Sequence, residues 1–281
     1  MKQKKHTGEF RHKHSLGQNF IEDKVLLEQL ADLSLVTQED CVLEIGPGLG
    51  ALTKPLASRA AQVVSLEIDH TLIPILSVVL EHFDHAKVIQ ADVMKTDLGK
   101  LVKEQFPVGC SLRVAANLPY YITTDVLTKL LFELPQAKSV AVMIQKEVGD
   151  KLLSKPGEEG YGPLAILCQY MCRVERALDV PAACFNPPPK VDSSFMVLIR
   201  HEDKPYHVQD EQLFFRLIKG AFAMRRKTLV NNLVSVFAFD RAKAIEVLEA
   251  AGLNAQIRAE ALSIEDFCRL ADQIGENVVK A

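Results

Sequence analysis

The chain has 281 residues, 48% of them hydrophobic and 25% charged, and a formal net charge of −3. A chain of this length can bury the core of one large or two modest domains, and its apolar content argues against wholesale disorder. The slightly negative charge argues against a nonspecific coat for nucleic acid. No apolar run is long enough to span a bilayer and no secretion signal is recognisable, so we expect a cytoplasmic protein without a membrane partner.

The first 15 residues form a basic segment, in which five cations accompany a single acid, Glu9. This composition predicts a flexible arm over residues 1–15 that lies on phosphates, or else a solvated tail without a specific role. A helix is predicted next, over about residues 23–35, from the spacing of its apolar residues.

An apolar strand then leads into a glycine-rich turn. Residues 42–45 precede Gly46, Gly48 and Gly50, and a helical stretch at 51–60 follows. Glycines permit a tight turn and close approach of the backbone to a ligand, so Gly46 and Gly48 are candidate ligand contacts. The spacing is one residue short of the dinucleotide fingerprint, and the turn lacks the Lys or Arg that would bind a pyrophosphate. It therefore favours an adenosine ligand without a pyrophosphate, such as S-adenosylmethionine.

Two further apolar runs each lead to an acid. Residues 62–66 lead to Glu67, where the second strand of a Rossmann unit places a carboxylate for a ribose diol. Residues 86–90 lead to Asp92, a second strand-end acid that suits the amino group of an adenine ring. Each acid alone could be a solvated strand-end residue, but their occurrence in strand order favours one shared ligand.

The residues after the next apolar run, 112–116, can present an amine. The Asn117 side-chain oxygen and the Leu118 carbonyl, freed from regular pairing by Pro119, can accept the two N–H donors of an adenine amine. Tyr120 can then stack on the base. Such a string is otherwise an ordinary turn, but here it follows a glycine turn and two strand-end acids.

Strands and helices alternate from residue 41 to about residue 146, which predicts an α/β fold with a doubly wound parallel sheet. Residues 171–180 and 194–200 are β-rich and suit an antiparallel edge. A polar linker at 201–205 separates this part from helices predicted at 210–223, 227–237, 241–251 and 264–274. We therefore divide the chain into a ligand-binding domain of residues 1–204 and a helical domain of residues 205–281.

The first of these helices opens a stretch without any acid, residues 212–239. Its apolar residues recur at helical spacing, which predicts a buried face and places the cations outside the core. These cations are Arg216, Lys219, Arg225, Arg226 and Lys227. A stretch in which every charged residue is positive favours a phosphate-binding surface over a merely solvated face.

The sequence resembles a known family, the ribosomal RNA adenine N6,N6-dimethyltransferases of the kasugamycin-sensitivity type, from about residue 14 to about residue 232. Besides the features above, the resemblance rests on three motifs: LGQNFI at 16–21, FNPPPKVDS at 185–193 and RRKTLVNNL at 225–233. It implies a Rossmann-like class I methyltransferase sheet, followed by a small all-helical domain that binds ribosomal RNA.

The resemblance also assigns roles to single residues. It implies that Asn19 and Ile21 contact the methionine end of S-adenosylmethionine, and Ile21 stands where leucine is usual. Further implied cofactor contacts are Gly46, Glu67, Asp92 and Asn117. Phe185 lies against the target base, opposite Tyr120, with packing in the core as the alternative. Lys190, in the second motif, joins Arg225, Arg226 and Lys227 as a candidate RNA contact.

The implied activity is methyl transfer from S-adenosylmethionine to the N6 amines of two adjacent adenosines near the 3′ end of 16S rRNA, in the small ribosomal subunit. The product is N6,N6-dimethyladenosine, and the implied role is in small-subunit biogenesis. Orientation rather than a general base supplies the catalysis, because the sulfonium methyl is already activated. The alternatives are a large-subunit rRNA methyltransferase of the antibiotic-resistance group and a noncatalytic assembly factor. We expect a monomer.

Six cysteines are scattered along the chain, most of them in apolar runs. Cys168 and Cys172 lack CxxC spacing and have no histidines nearby in the sequence. We therefore expect reduced thiols in the core and no metal site.

Overall fold

A computed structural model describes residues 19–224 and 226–278, and strands alternate with helices through most of the first range. The strands are β1 (Phe20–Ile21), β2 (Asp40–Ile45), β3 (Gln62–Glu67), β4 (Ala86–Gln90), β5 (Ser111–Asn117), β6 (Ser139–Gln145), β7 (Cys172–Val180), β8 (Phe185–Asn186) and β9 (Ser193–Arg200). The helices are α1 (Lys24–Leu33), α2 (Thr53–Ala57), α3 (Ile73–Val79), α4 (Leu98–Gln105), α5 (Thr123–Glu133), α6 (Lys146–Leu153), α7 (Pro163–Met171), α8 (Glu211–Ala221), α9 (Leu229–Phe237), α10 (Arg241–Ala250) and α11 (Ile264–Val278).

Within the described ranges, a seven-stranded sheet has the strand order β4-β3-β2-β5-β6-β9-β7. Strands β2 to β6 pair in parallel, whereas β9 pairs antiparallel with both β6 and β7. This confirms the predicted α/β fold and its antiparallel edge. The chain runs outward from β2 to β4 and then returns to β5, so the strand order reverses between β2 and β5. Ligands bind at the carboxyl ends of the strands at such a switch point.

Both faces of this sheet are buried, which explains why its strands are almost continuously apolar. Along β2, Leu43 and Ile45 belong to one cluster of buried side chains, and Val42 belongs to the other. On β3, Val64 belongs to the first cluster and Val63 belongs to the second. Successive residues thus hold helices on opposite faces, and the ends of the strands are left for polar side chains.

The C-terminal helices pack against the same core as one face of the sheet. The ring of Tyr170 on α7 lies 4.5 Å from that of Phe214 on α8, and its hydroxyl donates to Glu211 Oε1 at 2.8 Å. The rings of Tyr161 and Phe222 lie 6.5 Å apart. The four predicted helices are confirmed close to their predicted bounds, as α8 to α11. The domain boundary after residue 204 stays a prediction.

Two helix starts show what the local sequence specifies. Helix α1 begins directly after Asp23, whose carboxylate accepts hydrogen bonds from the N–H groups of Val25 and Leu26. Helix α2 is shorter than predicted, because residues 48–52 continue the glycine turn, with Gly50 N donating to Pro47 O at 2.9 Å. None of the described helices combines the length and the apolar character needed to cross a bilayer.

The six cysteines are free thiols. Cys41, Cys168, Cys172 and Cys268 are buried, and burial raises the pKa of the Cys172 thiol to about 11. Among the described residues, no group of three His, Cys, Asp or Glu side chains is placed to hold a metal ion.

Candidate cofactor and adenine site

A solvent-open cleft, about 1220 Å³ when the solvent space at its opening is included, lies at the carboxyl ends of the parallel strands, where the strand order reverses. All the predicted cofactor and adenine residues border it, although they come from distant parts of the chain. These are Asn19, Ile21, Gly46, Gly48, Glu67, Asp92, Asn117, Leu118, Pro119, Tyr120 and Phe185. The fold therefore brings the sequence-predicted residues to a single site.

The floor of the cleft is the glycine turn after β2. Gly46 and Gly48 have φ angles of 71° and 59°, in the left-handed region that favours glycine. A Cβ on Gly46 would lie 3.3 Å from Asn117 O, and one on Gly48 would lie 2.6 Å from the Phe20 ring. The turn thus needs glycine both for its backbone conformation and for the close approach of neighbouring groups.

Glu67, the last residue of β3, is bonded to this turn. One of its carboxylate oxygens accepts from Gly48 N at 3.1 Å and the other accepts from Asp69 N at 2.8 Å. The side chain is only 5% exposed, and burial raises its pKa despite these bonds. Each carboxylate oxygen can accept a second hydrogen bond, so Glu67 can hold the turn and a pair of hydroxyl groups together.

Glu44 is a site residue that sequence reasoning missed. It lies on β2, is 1% exposed and borders the cleft. Its Oε2 accepts hydrogen bonds from Thr53 Oγ1 at 2.7 Å and Ser65 Oγ at 2.6 Å. Burial raises the pKa of this carboxyl to about 7. The signal in the sequence is a charged residue inside an apolar strand, which is costly at a buried position unless it is hydrogen-bonded.

Asp92 follows β4, at one end of the strand order that forms the cleft, whereas Asn117 ends β5 and Leu118 follows it, toward the other end. Its Oδ1 accepts from Met94 N at 2.9 Å, and its Oδ2 lies 3.5 Å from Lys95 Nζ. Unlike Glu67, it is partly exposed. This open carboxylate can accept a hydrogen bond from an amino group that enters the cleft.

Asn117 ends β5, and a hydrogen bond sets the direction of its side-chain amide. Asn117 Nδ2 donates to Asn19 O at 3.4 Å, which leaves Oδ1 as an acceptor on the other side. Leu118 N donates to Met143 O of the neighbouring strand. Pro119 then starts a tight 3₁₀ turn, in which Ile122 N donates to Pro119 O. Backbone and side chain together hold the Asn-Leu-Pro segment in one conformation.

Two aromatic residues border the cleft beside this segment. Tyr120 is half-buried, and its hydroxyl forms a 2.7 Å hydrogen bond with Ser193 Oγ. Phe185 is 4% exposed and lies on β8, opposite Ile21 of β1 in a two-stranded antiparallel ribbon. The sequence gives Ser193 no role beyond its place in a motif, and the structure shows that it fixes the Tyr120 ring.

The predicted RNA contacts that the structure describes do not line the cleft. Arg226 and Lys227 are exposed in the turn between α8 and α9, and Lys190 is exposed in the proline-rich loop after β8. Arg225 and the basic arm of residues 1–15 lie outside the described residues. Arg216 is also exposed, but it is bonded within the chain, because it donates to Val236 O at 2.9 Å and its guanidinium lies 4.8 Å from the centre of the Phe237 ring.

A family model, described as ribosomal RNA adenine dimethylase, matches residues 9–276. The chain belongs to this family. As a member it is an enzyme, a methyltransferase that acts on adenine in ribosomal RNA, and it therefore uses a methyl donor.

Two curated relatives show how far the similarity extends. The ribosomal RNA small subunit methyltransferase A of Ligilactobacillus salivarius is 43% identical over 265 residues, which cover 93% of this dimethylase and 90% of the relative. The protein of the same name from Bacillus mycoides is 43% identical over 268 residues, covering 94% and 92%.

Solved structures agree on the fold. A dimethyladenosine transferase from Plasmodium falciparum has a TM-score of 0.77 and 26% identity, with 92% of this dimethylase and 98% of that chain covered. A 23S rRNA methyltransferase, ErmE, has a TM-score of 0.68 and 24% identity, with 92% and 100% covered. The similarity to the second protein concerns the fold alone, which is that of the class I methyltransferases.

Proposed function

We propose that the protein transfers methyl groups from S-adenosylmethionine to the N6 amines of two adjacent adenosines near the 3′ end of 16S rRNA, giving N6,N6-dimethyladenosine. The observation that carries the proposal is the Asn117 amide, oriented by Asn19 O at the same cleft as Glu67 and Asp92. The small subunit is the proposed substrate because the relatives at 43% identity are named small subunit methyltransferases.

The residues at the cleft fit S-adenosylmethionine. Gly46 and Gly48 border the cleft without side chains, so a ligand can approach their backbone. Glu67 offers buried acceptors for the ribose diol, and Asp92 offers an open acceptor for the adenine amino group. Asn19 and Ile21 border the same cleft and suit the methionine end. No Lys or Arg borders the cleft within the described residues, as expected for a ligand without phosphates.

The chain's own part in the chemistry is orientation. The bound donor supplies an activated sulfonium methyl. Asn117 Oδ1 and the Leu118 carbonyl accept the N–H groups of the target amine and direct its lone pair toward that methyl. Tyr120, fixed by Ser193, and Phe185 offer ring faces to an adenine that has left its stack, which offsets a few kcal/mol of unstacking. A monomethylated amine can rotate in a site with two acceptors, which permits the second transfer.

Recognition of the subunit involves a second surface. Arg226, Lys227 and Lys190 are exposed cations that suit phosphate contacts, with Arg225 added from the sequence motif. We take the protein to act as a monomer in the cytoplasm, where its proposed substrate is assembled. A role in small-subunit biogenesis follows from this substrate.

One experiment tests the proposal against both alternatives. Small and large ribosomal subunits from a strain that lacks this methylation are incubated with the protein and labelled S-adenosylmethionine, and the modified bases are mapped. We expect dimethyladenosine at two adjacent positions near the 3′ end of 16S rRNA. Label only in the large subunit would favour the antibiotic-resistance group. Tight binding to small subunits without label would favour a noncatalytic assembly factor.

A further inference from the structure

Tyr121 is a large exposed aromatic residue at the mouth of the cleft. It is 65% exposed and borders the cleft, directly after the half-buried Tyr120. The turn that carries both tyrosines is closed by two hydrogen bonds, because Ile122 N and Thr123 Oγ1 both donate to Pro119 O, at 3.2 and 3.3 Å. Two successive tyrosines thus border the cleft, one half-buried and one largely exposed.

The surroundings of these two rings differ. Tyr120 has its hydroxyl on Ser193, whereas the Tyr121 hydroxyl has no hydrogen-bond partner among the described residues. Ile122, the next residue, packs against the core and anchors the turn. Packing among the described residues therefore does not account for the exposed position of the Tyr121 ring.

The position of Tyr121 indicates which part of the substrate its ring contacts. It lies in the turn that directly follows the proposed amine clamp of Asn117 and Leu118, and it borders the same cleft, so it lies on the side where the target amine would be presented. When an adenine leaves its stack to enter a pocket, the neighbouring base loses a stacking partner on one face. An aromatic ring at the mouth can replace that partner, since every base has a π-face.

We propose that Tyr121 stacks on the nucleobase next to the adenosine that occupies the cleft. This inference rests on the proposed function and adds a specificity residue to it. The substrate carries two adjacent adenosines, so in one of the two methylations the base on the Tyr121 side of the target is the other adenine. Tyr121 therefore favours a substrate in which a base that is free to stack lies next to the target.

The test compares Tyr121→Ala with Tyr121→Phe, which keeps the ring, and with Val108→Ala, a matched truncation of a fully exposed residue in the loop before β5. Small subunits that lack the methylation serve as substrate. We expect Tyr121→Ala to lower kcat/KM about 5- to 150-fold, because base–aromatic stacking is worth about 1–3 kcal/mol. Tyr121→Phe and Val108→Ala should stay within about twofold of the parent, and the affinity for S-adenosylmethionine should be unchanged in all three.

A modified substrate separates stacking from a structural effect. Subunits are rebuilt with a synthetic 3′ segment that carries an abasic nucleotide beside the target adenosine. On this substrate the parent and Tyr121→Ala should react at the same rate, because the stacking partner is missing.

Three results would overturn the inference: an unchanged kcat/KM for Tyr121→Ala, a Tyr121→Phe variant as slow as Tyr121→Ala, or a loss that persists on the abasic substrate. Failure of the parent protein to methylate small subunits would instead overturn the proposed function.

Discussion

The cofactor cleft and the basic turn between α8 and α9 use charged residues in opposite ways. In the cleft, Glu44 and Glu67 are buried and bonded to hydroxyls or backbone N–H groups. In the turn, Arg226 and Lys227 are exposed, and neither forms an ion pair within the described residues. Buried groups act through fixed geometry in a medium of low dielectric, whereas exposed cations act through a screened field. The two regions should therefore respond differently to mutation, pH and salt.

The largest effect is expected at the amine clamp. Asn117→Ala should lower kcat for methylation about 100-fold or more, as does removal of one positioned polar group in other active sites. The dissociation constant for S-adenosylmethionine should change far less, because the clamp acts mainly where the amine is turned toward the methyl. Single-turnover kinetics and calorimetry measure the two quantities. A proportional loss in both would reduce Asn117 to a cofactor contact.

The next effect concerns pH and the buried acid of the cleft. Burial raises the pKa of Glu44 from 4.5 to about 7, so the folded state holds this proton more tightly than the unfolded state. The resulting stability is full below pH 4.5 and is lost as pH rises through 7. From pH 5 to pH 8 the wild type should lose up to about 3 kcal/mol of unfolding free energy relative to Glu44→Gln.

Urea unfolding of both proteins at the two pH values checks the prediction for Glu44. Glutamine keeps an acceptor oxygen for Thr53 and Ser65, so the variant should fold. If the two proteins show the same pH dependence, Glu44 does not titrate in this range, and the contrast between the buried and the exposed charges is weaker than the structure indicates.

At the ribose acid, Glu67→Ala should weaken the binding of S-adenosylmethionine by about 1.5–3 kcal/mol, the worth of hydrogen bonds to a charged group. The loss has two sources, because Glu67 also accepts from Gly48 N in the glycine turn. Asp92→Ala is the matched variant, and its effect should be smaller because Asp92 is partly exposed and its proposed partner is a neutral amine. Calorimetry on the two folded variants measures how much affinity for S-adenosylmethionine each has lost. Equal binding by Glu67→Ala and the parent would contradict the ribose assignment.

The smallest effect at physiological salt is expected at the basic turn. Replacing Arg225, Arg226 and Lys227 with Gln should weaken subunit binding and flatten its salt dependence, by roughly 0.7 to 0.9 in logarithmic slope for each phosphate that is no longer neutralised. The affinity for S-adenosylmethionine should not change. Binding to small subunits, measured over a range of salt concentrations, gives the slope.

Arg216→Gln is the matched control for the basic turn. It removes a cation from the neighbouring helix, but Arg216 contacts Val236 O and the Phe237 ring. We expect this control to lower Tm without altering the salt slope. An unchanged slope in the triple variant would identify the turn as a solvated face and would make residues 1–15 the better candidate.

The local sequence determined much of what the structure contains. The apolar runs fixed the strands because both faces of the sheet are buried, and Asp23 fixed the start of α1 through its side-chain hydrogen bonds. The glycines at 46 and 48 indicated a tight turn because glycine adopts left-handed φ angles most easily, and the structure has such angles at both positions. Asn117 and Pro119 were recognisable because an amide acceptor and a missing N–H are properties of the residue type itself.

Other features depended on residues distant in the chain, and only the tertiary structure decided them. The partners of Glu44 on α2 and β3, the bond from Tyr120 to Ser193, and the bond from Arg216 to Val236 O each join segments whose pairing is not encoded locally. The same holds for Tyr121, whose sequence neighbours give no sign that it is exposed while Tyr120 is not. Residue type and spacing determine which groups are present and how the backbone turns. The packing of distant segments determines which of them are buried, which are bonded, and which face the substrate.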